Sequence, residues 1–249
     1  MQKLLLPLLV ASAVSAERHR LRAPHGSDGS DAAPTAAHQQ TWQQAAPAAV
    51  GGSKQTTVSC PDRGDCTKAL QSVLSDTSVG EVVVPAGGGP WAVGPLFIYR
   101  SHLALTLQPG VVLYAKQGDF KNTGDNLLRI KSDMGHGHVK NITIIATGAT
   151  LRMRKMEYLP PKYVKAEWRH TLGIFGASDV TVIGGTYLES GGDGIYVDGG
   201  GLTNYSENVL LQSVTTDAAW RNGLSVISAV NLTVVDAVFK NTNGARLPI

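Results

Sequence analysis

Cysteine, net charge and long apolar runs are all scarce in this chain of 249 residues. Cysteine occurs twice, at Cys60 and Cys66. In an exported chain, two cysteines this close point to a small local disulfide rather than a metal site. The formal charge of +3 is too weak to imply a nucleic-acid partner. No apolar stretch is long enough to span a bilayer, so no membrane partner is expected. Hairpin turns are missing as well. No Asn-Gly or Asp-Gly pair sits alone between two alternating strands; such pairs stand immediately before a strand instead.

What is present divides the chain in three. Met1-Gln2-Lys3, an apolar run from Leu4 to Val14 and the small-residue ending Val14-Ser15-Ala16 read as a signal peptide over 1–16, which predicts a secreted protein. Residues 17–55 are Ala, Gln, Ser, Gly, His and Pro without apolar periodicity, and cannot bury enough surface to offset their ordering entropy, so disorder is expected there. From Thr56 onward Val, Ile, Leu and Gly dominate, which marks 56–249 as one domain. Three sequons, at Asn141, Asn204 and Asn231, are compatible with glycosylation. Two of them head β-repeats, where turn chemistry explains the asparagine equally well.

Those repeats define the architecture. Asn141-Ile142-Thr143-Ile144-Ile145, Asp179-Val180-Thr181-Val182-Ile183, Asn208-Val209-Leu210-Leu211 and Asn231-Leu232-Thr233-Val234-Val235 share a turn residue followed by alternating apolar residues. Between them lie His170-Thr171-Leu172-Gly173-Ile174, Asp193-Gly194-Ile195-Tyr196-Val197 and Asn222-Gly223-Leu224-Ser225-Val226. The period is too short for a crossover helix, so an all-β, right-handed parallel β-helix follows. Upstream, Asp65 can cap a short helix with Cys66, Ala69, Leu70, Val73 and Leu74 on one face, suited to plug the end of the solenoid. Insertions at about 152–169 and 199–207 should emerge as loops on one face. Asn243-Gly244 reads as the start of a further coil. The expectation is therefore an open end, continued by missing C-terminal coils or covered by self-association or another partner.

From Asp65 onward the chain resembles the pectin-lyase-like right-handed β-helix proteins, which include polygalacturonases and polysaccharide lyases. Polygalacturonases carry acids in Asn-Thr-Asp-Gly and Gly-Asp-Asp motifs just before a strand, with a histidine in Gly-His-Gly. Ser190-Gly191-Gly192-Asp193-Gly194-Ile195 is similar to the first, which implies Asp193 as the catalytic acid; such a coil also resembles those of uncharacterised β-helix repeat proteins. The pattern then departs. Arg221-Asn222-Gly223 stands where Gly-Asp-Asp is expected, while Arg129-Ile130-Lys131 and Gly135-His136-Gly137-His138 sit too early in the chain.

In a solenoid, residues at equal offsets stack, so His170, Asp193 and Asn222 should form a ladder flanked by Arg169 and Arg221, with Tyr196 and Ser225 pointing outward. Glycoside hydrolysis needs a second carboxyl group, for which Asp217 or Glu167 is available. A lyase would instead use His170 or Tyr196 as base and acid and Arg169 or Arg221 to neutralise a uronic carboxylate. The first insertion sets Arg152, Arg154, Lys155, Lys162 and Lys165 among Tyr158, Tyr163 and Trp168, which suits an anionic glycan. His136 and His138 could share a metal, but no acid cluster supports one, so no metal or other cofactor is expected. The expected function is processing of an extracellular polysaccharide, by hydrolysis at Asp193 first, by elimination second, with a non-catalytic glycan-binding module as the alternative of another class.

Overall fold

The computed structural model describes residues 54–60, 64–87, 89–132, 137–200 and 203–244. The segments read as signal peptide and disordered linker lie outside these, apart from Lys54 and Gln55. Both belong to the first strand, where Gln55 donates to Glu81 of the neighbouring strand, so these two residues pair with the domain rather than with the linker.

Strands, numbered in chain order, form three sheets in which every pairing between named strands is parallel. The seven-stranded sheet stacks β1 (Lys54–Thr57), β2 (Val79–Val84), β5 (Leu103–Leu107), β8 (Val139–Ile145), β11 (Ala177–Ile183), β14 (Ser206–Gln212) and β17 (Ala229–Val235). The six-stranded sheet stacks β3 (Trp91–Val93), β6 (Val112–Ala115), β9 (Thr150–Arg152), β12 (Thr186–Leu188), β15 (Thr215–Asp217) and β18 (Val238–Lys240). The five-stranded sheet stacks β4 (Leu96–Ile98), β7 (Leu128–Lys131), β10 (Leu172–Phe175), β13 (Ile195–Asp198) and β16 (Leu224–Val226). From β7 onward the chain visits the three sheets in turn, which is the right-handed parallel β-helix expected from the repeats.

Alternation explains which side faces in. Leu128, Ile130, Leu172, Ile174, Ile195 and Val197 are fully buried, and the residues between them face outward. Each such side chain contributes roughly 1.5–3 kcal/mol by leaving water. The head residues of the repeats lie inside the long strands of the seven-stranded sheet rather than before them. Asn141, Asp179, Asn208 and Asn231 all adopt φ between 53° and 56°, a left-handed conformation that Asn and Asp tolerate better than other residues. They redirect the chain at the same point of each coil.

The helix α1 (Thr67–Ser75) buries Leu70 and Leu74 and covers the edge next to β4. Asp65 accepts from the Thr67 backbone N–H and hydroxyl at its start. The Gln71 carboxamide takes both edge groups of Phe97, accepting from its N–H at 2.8 Å and donating to its carbonyl at 2.9 Å. Cys60 and Cys66 form the expected disulfide, tying the segment after β1 to the residue before α1.

Candidate functional site

The coil-to-coil ladder exists and extends one residue further than the sequence reading. Leu128, Leu172, Ile195 and Leu224 are in register, so Asn126, His170, Asp193 and Asn222 occupy equivalent positions before β7, β10, β13 and β16. Asn126, His170 and Asp193 are buried. Across 23 residues, His170 Nδ1 accepts from the Asp193 backbone N–H at 2.9 Å. Across 29, Asp193 Oδ1 accepts from the Asn222 backbone N–H at the same distance. Each side chain thus satisfies a backbone donor on the next coil.

The first of these bonds fixes the His170 tautomer. An Nδ1 that accepts leaves the imidazole proton on Nε2. Burial, followed by the charges of Arg221 and Arg129, pushes His170 down to about 3, so the ring is neutral at neutral pH. Asp193 has no exposed surface, and its Oδ2 makes no hydrogen bond while lying 3.5 Å from His170 Nδ1. Burial raises its pKa against the pull of the Asn222 N–H and Arg221. The Tyr196 ring lies flat on the His170 ring at 4.3 Å and 9°, and its hydroxyl donates to Asp198.

The first insertion lies directly against this ladder because Gly191 and Gly192 leave it room. A Cβ on Gly192 would come within 2.7 Å of the Glu167 carbonyl, and one on Gly191 within 2.5 Å of the Tyr158 ring. Asn126 Nδ2 donates to the Trp168 carbonyl, and Arg169 bridges to Gly191. The Glu167 backbone is thereby held against Gly192, the residue before Asp193. The Arg221 guanidinium approaches both carboxyl groups, with Nε 3.6 Å from Glu167 Oε2 and 3.9 Å from Asp193 Oδ1. Trp168 is 54% exposed beside them.

Other expected site residues are placed elsewhere. Arg169 does not face a ligand: it is fully buried, its guanidinium donates to the carbonyls of Phe120, Lys121 and Val164, and it sits 5.5 Å from the ring centres of Tyr158 and Tyr163. Tyr163 is buried too, its hydroxyl within donating distance of Glu157 at 2.7 Å and of the Asp119 carbonyl at 2.9 Å. Both staple the insertion to the coil wall, since an aromatic beside a buried cation packs inward rather than waiting for a sugar. Asp217 belongs to the six-stranded sheet, where it meets Lys240 and Asn241. Asn204 is exposed, while Asn231 donates its amide to Asn208. His138 contacts Tyr205, and His136 lies outside the described residues.

Sequence reasoning missed Asn126 and, in the outward rows of the five-stranded sheet, the residues that accompany Tyr196 and Ser225. Arg129, Gly173, Tyr196 and Ser225 share one row, and Lys131, Phe175 and Asp198 the next. Gly173 is the only residue of its row without a side chain. A Cβ there would meet Phe175 at 2.5 Å, so the Phe175 ring leans over the gap, 5.1 Å below the Arg129 guanidinium and 5.5 Å from Tyr196.

Comparison with known proteins speaks to the fold. A candidate glycosyl hydrolase of Parabacteroides merdae superposes with a TM-score of 0.52 at 16% identity, over 74% of this chain and 97% of its own. The Streptococcus pneumoniae surface protein and adhesin PfbA gives a TM-score of 0.38 at 15% identity, over 68% of this chain and 55% of its own. The first likeness is one of architecture. No family model and no curated protein matches the chain.

Proposed function

We propose that this is an exported protein that holds an anionic polysaccharide against the outer face of the five-stranded sheet and hydrolyses it with Asp193 and Glu167. The observation that carries the reading is the position of Arg221, one nitrogen of which lies within 4 Å of both carboxyl groups. Their facing oxygens can be no further apart than the sum of those two distances. That range includes the separations of roughly 5–5.5 Å for retention and reaches those of about 6.5–9.5 Å for inversion. Asp193, whose pKa burial raises, has the character of the proton donor, and Glu167, open to solvent, that of the second carboxylate. Because Asp193 is covered, the Glu167–Trp168 segment must lift for a glycosidic oxygen to reach it. The likeness to a candidate glycosyl hydrolase agrees with this chemistry.

One observation favours a second reading, binding without cleavage: both hydrogen bonds of the His170–Asp193 rung are structural, and Asp193 is inaccessible. Elimination finds less support, since Arg169 is consumed by backbone carbonyls and the His170 Nδ1 is occupied. The test is release of reducing ends from polygalacturonate and other acidic polysaccharides. Hydrolysis predicts release that falls by about 100-fold or more in Glu167→Gln and in Asp193→Asn. Retention on an acidic-polysaccharide column without release supports binding alone, ultraviolet-absorbing unsaturated ends would establish elimination, and a protein that neither retains nor degrades any of these polysaccharides would overturn the polysaccharide reading.

A further inference from the structure

The five-stranded sheet has an aromatic end that the acid pair does not use. Phe97 faces outward from β4, and Tyr99 follows one residue past it. Their rings stack at 5.2 Å and 7°, and Tyr99 is 44% exposed. The strand beneath them is fixed by the Gln71 carboxamide, which binds both backbone groups of Phe97. On β7, Lys131 makes no hydrogen bond or ion pair with another described residue, whereas its neighbour Arg129 is spent on Asn126 and Gly124. On β10, Phe175 lies over the Gly173 gap, and on β13, Tyr196 covers His170. Across two adjacent rows, Phe97 and Tyr196 in one and Lys131 and Phe175 in the next, rings and a cation thus line the sheet from β4 to β13.

We infer that Phe97, Tyr99, Lys131 and Phe175 form a sugar-binding platform on the side of the acid pair nearer α1. It grips a polysaccharide that crosses the strands and enters the cleft in one direction. Aromatic faces offer apolar area to the axial C–H groups of a pyranose while the ring edges stay wet. Lys131 adds an ammonium for a carboxylate or sulfate on the sugar between them. Three strand intervals separate β4 from β13, roughly 14 Å, which an extended chain of about three sugars would cover. The parallel stack holds the rings at fixed spacing, so little side-chain entropy is lost on binding.

This inference rests on the polysaccharide reading above, and its test separates the two. The probe is a length series of oligogalacturonides from dimer to hexamer, with cello-oligosaccharides as the neutral series, titrated calorimetrically into the Glu167→Gln protein so that cleavage does not interfere. Affinity for the acidic series should rise at least 10-fold from dimer to tetramer and then level off. Tyr99→Ala should remove that rise while leaving the dimer unchanged, and Lys131→Gln should bring the acidic series down to the neutral one. Thermal melts of both variants report whether the fold is kept; these side chains are on the surface, so unchanged melting is expected. Length-independent affinity, an equal loss at every length in Tyr99→Ala, or no binding of either series would overturn the platform. Hydrolysis measured in parallel on the otherwise wild-type chain tells whether the acid pair fails with it or survives it.

Discussion

Two ladders run along the last four coils of this solenoid, built on the same geometric rule and serving different ends. One is exposed and nearly uniform: Asn141, Asp179, Asn208 and Asn231 repeat one left-handed backbone state, and Asn231 and Asn208 each donate to the side chain before them. The other is mostly buried, and its members differ: Asn126, His170, Asp193 and Asn222. Its bonds run from side chain to the backbone of the next coil, and its two titratable members are shifted in opposite directions, His170 down and Asp193 up. Constant residue type marks a position where every coil has the same need. Changing type marks a position where one coil has been given a task of its own.

Deleting one member from each ladder should bring out the contrast. Asp193→Ala leaves the Asn222 N–H without its acceptor and opens a void, and should lower the unfolding free energy by about 2–4 kcal/mol in urea titrations. Asp193→Asn keeps an acceptor of the same size for that N–H, so it should lie much closer to wild type than Asp193→Ala does. Were Asp193→Ala no worse than a deletion in the exposed ladder, the two would be energetically alike and the contrast would fail.

The pH dependence sharpens the comparison further. As pH falls below 6.5, an unfolded histidine takes up a proton that buried His170 refuses until about 3, so this group removes stability on acidification. Asp193 acts the other way. Its raised pKa lets the folded protein bind a proton before the unfolded chain does, and the stability so gained is lost as pH rises through the folded value. Urea midpoints followed from pH 7 to pH 4 should therefore fall more steeply in Asp193→Asn than in wild type, and less steeply in His170→Asn. Each proton bounds its contribution at about 1.4 kcal/mol per pH unit. Identical slopes in all three proteins would place both groups outside the acid response.

The smallest effect belongs to the exposed ladder. Asn208→Ala forces alanine into φ 53° and should cost about 1–2 kcal/mol, whereas Asn208→Gly, free to adopt that φ, should cost only a few tenths. Chemical denaturation of the two side by side separates backbone conformation from the lost amide bond, because both variants lack the latter.

Much of this was legible before any coordinates. The Asx-headed repeats, the plug helix, the disulfide and the offset that stacks His170 on Asp193 all follow from residue types at fixed spacing. The left-handed asparagines were read as turns before strands, because sequence shows the residue preference but not that the strand continues through the corner. Asn126 was hidden by distance, as the long insertion separates it from His170 and breaks the period. Arg169 and Tyr163 were misplaced because charge and aromaticity say nothing about direction: the guanidinium turns inward once Phe120, Lys121 and Val164 present their carbonyls. Glu167 meets the Arg221 guanidinium that Asp193 also approaches because Gly191 and Gly192 admit the insertion so closely, a glycine role visible in three dimensions alone.

The Gln71 carboxamide carries a consequence for assembly. A parallel sheet that stops in mid-solenoid is a template, and any extended segment of a neighbouring chain can add to it. By giving Phe97 an N–H and a carbonyl of its own, one side chain does for the five-stranded sheet what another strand would have done. That edge is chemically finished, so filament growth by strand addition has no foothold at Phe97.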